Sequence, residues 1–250
     1  MMRNLSFVLA ASAVLAVTMR APVIHVHMIG DSTMANKPTP EKNPERGWGQ
    51  NFQAFFDDRV VVDNHALNGR SSKSFIAEGH WAPVIAALQP GDYLIVQFGH
   101  NDEKIEDSTR YAAPRTDYRA NLVRFLSEAR AQGAIPILCT PIVRRKFNAA
   151  GKLQPTHGDY PDVVRELAKA DNVPLIDMEK LTGKLVSSAG PDASKKLYVW
   201  VAQGEWPAFP AARQDDTHLN PTGAAEVAKL AADAIRASGL PLAQYLKKSN

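Results

Sequence analysis

A parallel β-sheet covered by helices on both faces is the fold class this sequence predicts, and three observations carry the prediction. Short apolar runs alternate with amphipathic helical patterns along the chain, the order that builds βαβ units. Polar clusters follow the ends of these runs, at Gly30-Asp31-Ser32, Asn68-Gly69 and Gly99-Asn101-Asp102, where parallel sheets gather their chemistry. The 250 residues are 45% hydrophobic and 22% charged, which argues against a disordered or fibrous chain and suffices for a core without covalent staples.

Each element has its own justification. Residues 23–29 form an apolar strand that runs into Gly30. Residues 48–56 read as a helix because Trp48, Phe52, Phe55 and Phe56 share one stripe, which makes Trp48 a core residue. Residues 60–62 are a short strand, and 93–98 a second strong one. Residues 117–132 are amphipathic, with Leu122, Phe125, Leu126 and Ala129 on one face and Gly133 as the stop. A buried strand follows at 135–139, then a helix at 161–170 that opens on proline, a strand at 173–176 and a last helix at 221–237. Residues 36–47, 148–159 and most of 190–214 read as loops, and long loops in such a domain are usually functional or mobile. Without repeats or a linker, residues 22–250 read as one domain.

The N-terminus is different in character. Arg3 precedes residues 5–18, which carry no charge, and Val14-Leu15-Ala16 offers a small-residue cleavage site. Residues 1–21 are therefore expected to be a secretory signal peptide cut between 16 and 21, too short to span a bilayer comfortably. No stable membrane insertion is expected after cleavage. Cys139 is the one cysteine, so neither an intramolecular disulfide nor a cysteine zinc site is available. An exported chain without disulfides points to a bacterial periplasm or exterior. The net charge of +3 comes from 29 basic and 26 acidic side chains with no run of five like charges, which does not indicate a nucleic-acid surface.

Three pieces carry possible chemistry. Ser32 follows the first strand through a tight Gly30-Asp31 turn; its hydroxyl needs a base, and the base an orienting group, before it attacks anything. Ser32 equally fits a helix cap. Asp215 stands three residues before His218, ahead of Asn220-Pro221. On a turn leading into a helix, the carboxylate would accept the Nδ1 proton and free Nε2 to take one from a serine. A capping cluster would explain the same residues. The third piece is a set of neutral donors, the backbone N–H groups of Ser32 and Gly69 and the Asn101 side-chain amide, suited to a developing oxyanion. An ordinary Asn-Gly turn and an Asx turn are the plainer readings of the last two.

Together and in this order, Gly30-Asp31-Ser32-Thr33, Gly69, Gly99-His100-Asn101-Asp102 and Asp215-Asp216-Thr217-His218 resemble the blocks of the SGNH (GDSL-type) hydrolases. More narrowly, Gly30–Ala35, Gly47-Trp48-Gly49, residues 68–75, residues 98–102 and residues 216–220 resemble the rhamnogalacturonan acetylesterases, a family of carbohydrate esterases, over residues 24–237. The resemblance implies a flavodoxin-like three-layer α/β/α sandwich and ester hydrolysis without metal or cofactor. It implies Ser32 as nucleophile, His218 as base, Asp215 as its orienter, and Ser32, Gly69 and Asn101 as oxyanion donors. The Asp-x-x-His spacing selects Asp215 over Asp216. Fungal members rely on disulfides, so the chain resembles the bacterial branch.

The expected activity is thus removal of O-acetyl groups from a plant polysaccharide, with rhamnogalacturonan foremost, rising from acid to neutral pH because the base must be deprotonated. A broad short-chain acyl esterase and a carbohydrate-binding module on an inactive scaffold are the alternatives. Arg70 is a candidate for a substrate carboxylate or for a salt bridge to a neighbouring acid. His100 either lines the pocket or holds its loop. Trp206 and Phe209, just before the aspartate, are candidates to stack on sugar rings. Trp81 and Trp200 are weaker candidates for that role. His25 and His27 have the i, i+2 spacing of a ligand pair, but no third ligand is evident in sequence and no metal is expected. His65, His80 and His157 show no partner pattern.

Overall fold

Strands β1 (Ile24–Gly30), β2 (Val60–Asn64), β3 (Tyr93–Gln97), β4 (Ile135–Cys139) and β5 (Leu175–Ile176) form one sheet in the order β2-β1-β3-β4-β5, every pair parallel. This is the flavodoxin-like order, and its switch point lies between β1 and β3. The computed structural model describes residues 23–248. The expected signal peptide lies outside the described residues.

The sheet is buried on both faces because side chains alternate along each strand. Val26, Met28, Ile95 and Ile137 face one core with Trp48, Phe52, Val227, Ala231 and Ile235. Ile29, Leu94, Val96 and Leu138 face a second core with Phe75, Leu122, Phe125, Val164 and Leu167. The first face is covered by a 3-10 helix at Trp48–Phe55 and by α5 (Met178–Ala193) and α6 (Pro221–Ala237). The second is covered by α1 (Ser72–Ala77), α2 (Trp81–Ala87), α3 (Arg119–Ala131) and α4 (Tyr160–Ala170). Trp48 is fully buried, and its indole N–H donates to Gln97 Oε1 at 3.0 Å. Trp81 is also buried, its N–H held by Glu128.

The expected elements are present with small shifts. The 117–132 helix opens with a π-type turn at Pro114–Tyr118, and the fourth inter-helix strand shortens to Leu175–Ile176. Two expectations need correction. Residues 190–214 are not mainly loop: they hold the kinked end of α5, a 3-10 turn at Ser194–Leu197 and β6 (Tyr198–Val201), which pairs antiparallel with β7 (Arg213–Leu219). And the helix-cap reading of Ser32 is not met, since no α-helix follows it. The N–H groups of Met34 and Ala35 close a single turn on the Asp31 carbonyl, and the chain then leaves as loop.

Candidate active site

The site lies beyond the carboxyl ends of β1 and β3 and is completed by β7. Asp31, at the exit of β1, is fully buried and accepts from the Thr33 N–H at 2.9 Å and the Thr33 hydroxyl at 2.7 Å. This Asx turn fixes the backbone on either side of Ser32. Burial alone would raise the Asp31 carboxyl; the His100 imidazole, 3.3 Å away, and the Thr33 donors outweigh it and hold it below the usual range.

Ser32 Oγ lies 2.9 Å from His218 Nε2, and His218 Nδ1 lies 2.8 Å from Asp215 Oδ2. In a regular strand residues i and i+3 point to opposite faces. Here β7 advances from Asp215 to Leu219 while β6 moves by one residue, from Val199 to Tyr198. The resulting bulge turns His218 back onto the Asp215 side. Asp215 Oδ1 closes it by accepting from the Thr217 and His218 N–H groups at 2.8 and 2.9 Å. The expected turn is therefore real but sits inside a strand. Just beyond it, Asn220 caps α6, accepting from the Gly223 N–H and donating to the Lys196 and Tyr198 carbonyls.

Asp215 also accepts from Arg213 Nη2 at 2.6 Å. Burial works to raise its carboxyl, but the bonds and charge of His218 and the Thr217 and His218 N–H groups prevail and push it well below the carboxylate range. Asp216 points elsewhere: its Oδ1 accepts from Arg145 Nη1 at 2.7 Å and Trp200 Nε1 at 2.8 Å. The two neighbouring aspartates thus have separate partners.

Gly69 has φ = 75°, a left-handed conformation that disfavours side chains. Asn101 is buried and donates one amide hydrogen to the Arg70 carbonyl at 3.1 Å, which fixes the amide and leaves its second hydrogen for another acceptor. Its loop is held by Asp102, whose carboxylate accepts from Ser72 N–H at 2.9 Å, from the Ser72 hydroxyl, and from Gly99 N–H at 3.0 Å. Gly99 reaches that bond through φ = 144°. Burial raises Asp102 to about 7 against the pull of Ser72. The Ser72–Asp102 link ties the Gly69 turn to the Asn101 loop.

The candidate substrate contacts divide. Arg70 binds Glu78 at 2.9 and 2.8 Å and the Asn68 carbonyl at 3.0 Å, the salt-bridge arrangement. His100 is 3% exposed, packed edge-on against His157 and beside Asp31, which fits loop support. Trp206 and Phe209 pair through a β-bridge and are both half-buried, and the Arg213 guanidinium lies 4.6 Å over the Phe209 ring. Trp200 is occupied by Arg145 and Lys195 at 4.9 and 4.8 Å.

Sequence reasoning missed a charged chain behind the site. Lys37, whose side chain is 1% exposed, donates to Asn68 Oδ1 at 2.5 Å and lies 3.7 Å from Glu45, which pairs with Arg213 at 3.0 Å. Burial lowers the Lys37 ammonium despite Glu45, Asp31 and Asp215. A lysine in a polar loop gives no signal of burial. Glu45, Asp215 and His218 cluster as metal ligands would, but Arg213 pairs with both carboxylates and His218 is engaged by Ser32 and Asp215.

Residues 28–226 match the GDSL-like lipase/acylhydrolase family. The chain belongs to this family. It is 41% identical to rhamnogalacturonan acetylesterase RhgT of Bacillus subtilis over 223 residues, 89% of this chain and 94% of that one. It is 33% identical to the probable rhamnogalacturonan acetylesterase YesY of the same organism, over 90% and 98%. Among solved structures, Axe2, an acetylxylan esterase of Geobacillus stearothermophilus, shares the fold at a TM-score of 0.59 and 17% identity, over 92% of this chain and all of that one. Membership makes this GDSL-family chain an enzyme, a carboxylic ester hydrolase.

Proposed function

We propose that the chain is a serine esterase that removes O-acetyl groups from plant cell-wall polysaccharide, rhamnogalacturonan above all. One observation carries the chemistry: the continuous line from Ser32 Oγ through His218 to Asp215, at 2.9 and 2.8 Å. The relatives support the substrate class, since two chains matched over nine-tenths of their length bear that activity or its probable form in their names.

Ser32 Oγ attacks the acetyl carbonyl carbon as His218 Nε2 takes its proton. Asp215, kept ionised, stabilises the imidazolium through Nδ1. The Ser32 and Gly69 N–H groups and the Asn101 amide receive the oxyanion, each donor contributing on the order of 3 kcal/mol. The C–O bond to the sugar breaks, and His218 protonates the departing hydroxyl. Water, activated by the same histidine, attacks acetyl-Ser32 and releases acetate. No step draws on a metal or cofactor. A secreted or periplasmic placement accords with a polymeric substrate and with the signal-like residues 1–21; no helix among the described residues is long and apolar enough to cross a membrane.

The deciding experiment measures acetate release from acetylated rhamnogalacturonan and acetylated xylan by the wild type and Ser32→Ala. Release from the pectic polymer alone, abolished in the variant, supports the full reading. Release from both polymers reduces it to a general sugar acetylesterase. Release from neither, with turnover of longer acyl esters, replaces the substrate class.

A further inference from the structure

The β1–β2 edge gathers three histidines and a carboxylate away from the serine. In the parallel register His25 lies opposite Val61 and His27 opposite Asp63, and odd-numbered residues of both strands share a sheet face. His25 Nδ1 is 2.6 Å from Asp63 Oδ2, and His27 Nδ1 is 3.1 Å from His65 Nε2. The rings form a column, with centroids 5.9 Å apart from His25 to His27 and 5.3 Å from His27 to His65. One ligand atom each from His25, His27 and Asp63 falls within 4.8 Å of the others. The third ligand, invisible in sequence, is supplied by strand pairing.

A second observation is independent of this proximity. The His27 side chain is 4% exposed, and its Nε2 has no hydrogen-bond partner among the described residues; Asp92 Oδ2 stands 3.7 Å away. A buried polar nitrogen left in this state is costly. We propose that His25, His27 and Asp63 bind a divalent transition metal of the zinc type, with His65 orienting the His27 ring through its Nδ1. Two imidazoles and a carboxylate are a ligand set for such ions. His65 already engages the His27 Nδ1 at 3.1 Å, which leaves Nε2 as the nitrogen free for an ion. His25 and Asp63 are 41% and 33% exposed, which gives an ion its entry.

The bound ion would clip β1 to β2 about 16 Å along the strand from Ser32, so it acts on stability and leaves the ester chemistry to the serine. The inference is independent of the substrate proposed above. It is tested on tag-free, chelator-stripped protein titrated with Zn²⁺ against a chromophoric chelator, and with Co²⁺ followed by visible absorption. One ion per chain is expected, with a tetrahedral Co²⁺ spectrum and a rise in Tm on adding Zn²⁺. His25→Ala and Asp63→Asn alter partly exposed side chains and should fold, as far-UV circular dichroism verifies; each should weaken binding at least about tenfold and remove the Tm shift. Binding should persist in His218→Ala, which breaks the other candidate cluster. Absence of saturable binding, retention of wild-type affinity in both edge variants, or loss of binding in His218→Ala would each overturn the proposal.

Discussion

His218 Nε2 reaches Ser32 Oγ at 2.9 Å across 186 residues of chain. The approach depends on the β7 bulge, since a regular strand would put Asp215 and His218 on opposite faces. The aspartate that sets the histidine ring also ties off the bulge by accepting two backbone N–H groups, so orientation of the imidazole and local fold share one carboxylate.

The two adjacent aspartates give the sharpest prediction. Asp215→Asn should lower kcat by roughly 10³- to 10⁴-fold, because an amide at Oδ2 favours the wrong imidazole tautomer. Asp216→Asn should leave kcat within about threefold and lower Tm, because it weakens the Arg145 and Trp200 contacts. Steady-state kinetics with a soluble acetyl ester and thermal melts of both variants check this. Equal kinetic losses would show that the assignment by spacing is wrong.

Lys37 is predicted to position the oxyanion turn without touching substrate. Its ammonium holds Asn68 Oδ1, next to Gly69, from a nearly dry environment. Lys37→Met keeps the apolar stem and removes that hold. We expect kcat to fall about tenfold, with KM nearly unchanged, as the Gly69 donor loses alignment. A merely structural lysine would change Tm and spare the kcat-to-KM split.

These two cases show what was legible in sequence. The strands at 93–98 and 135–139 and the helix at 221–237 announced themselves through apolar periodicity and proline placement, and the GDS and GHND stretches through their position at strand ends. Helices α1 and α2, of six and seven residues, are too short for a periodic signal. Helix α5 packs through Met178, Thr182 and Val186 and then kinks at Gly190-Pro191, which reads as loop. Strand β6 was hidden because its partner comes a dozen residues later. Lys37, Glu45 and Arg213 were missed for a related reason: charge networks are made by tertiary approach, and residue type alone does not show it.

His100 yields a pH prediction with a definite sign. Burial chiefly lowers it from 6.5 to about 4, so between those values the unfolded chain binds the extra proton. Stability from this group is full above about pH 6.5 and is lost as pH falls towards 4, by on the order of 3 kcal/mol. Asp102, raised to about 7 by burial, has the opposite sign over nearly the same window, but it is common to both proteins in a comparison with His100→Gln. Urea unfolding from pH 4 to 7 should show the wild type gaining stability relative to the variant as pH rises. Parallel curves would mean that His100 is not held neutral.

Trp206 is predicted to act on the polymer and not on the acetyl group, whereas Phe209 acts on both. Phe209 lies under Arg213, which in turn bonds Asp215, so its removal disturbs the triad as well as any sugar contact. Trp206 joins Phe209 through backbone, which truncation of its side chain spares, and it is half-buried, leaving part of its indole to meet a sugar ring. Trp206→Ala should therefore raise KM for acetylated rhamnogalacturonan about three- to tenfold, the loss of a stacking contact worth roughly 1 kcal/mol. It should leave kcat/KM for a small aryl acetate unchanged. Phe209→Ala should lower kcat on both substrates, through Arg213. If Trp206→Ala impairs the small ester as much as the polymer, the indole supports the fold of the 202–212 loop and the sugar subsite lies elsewhere.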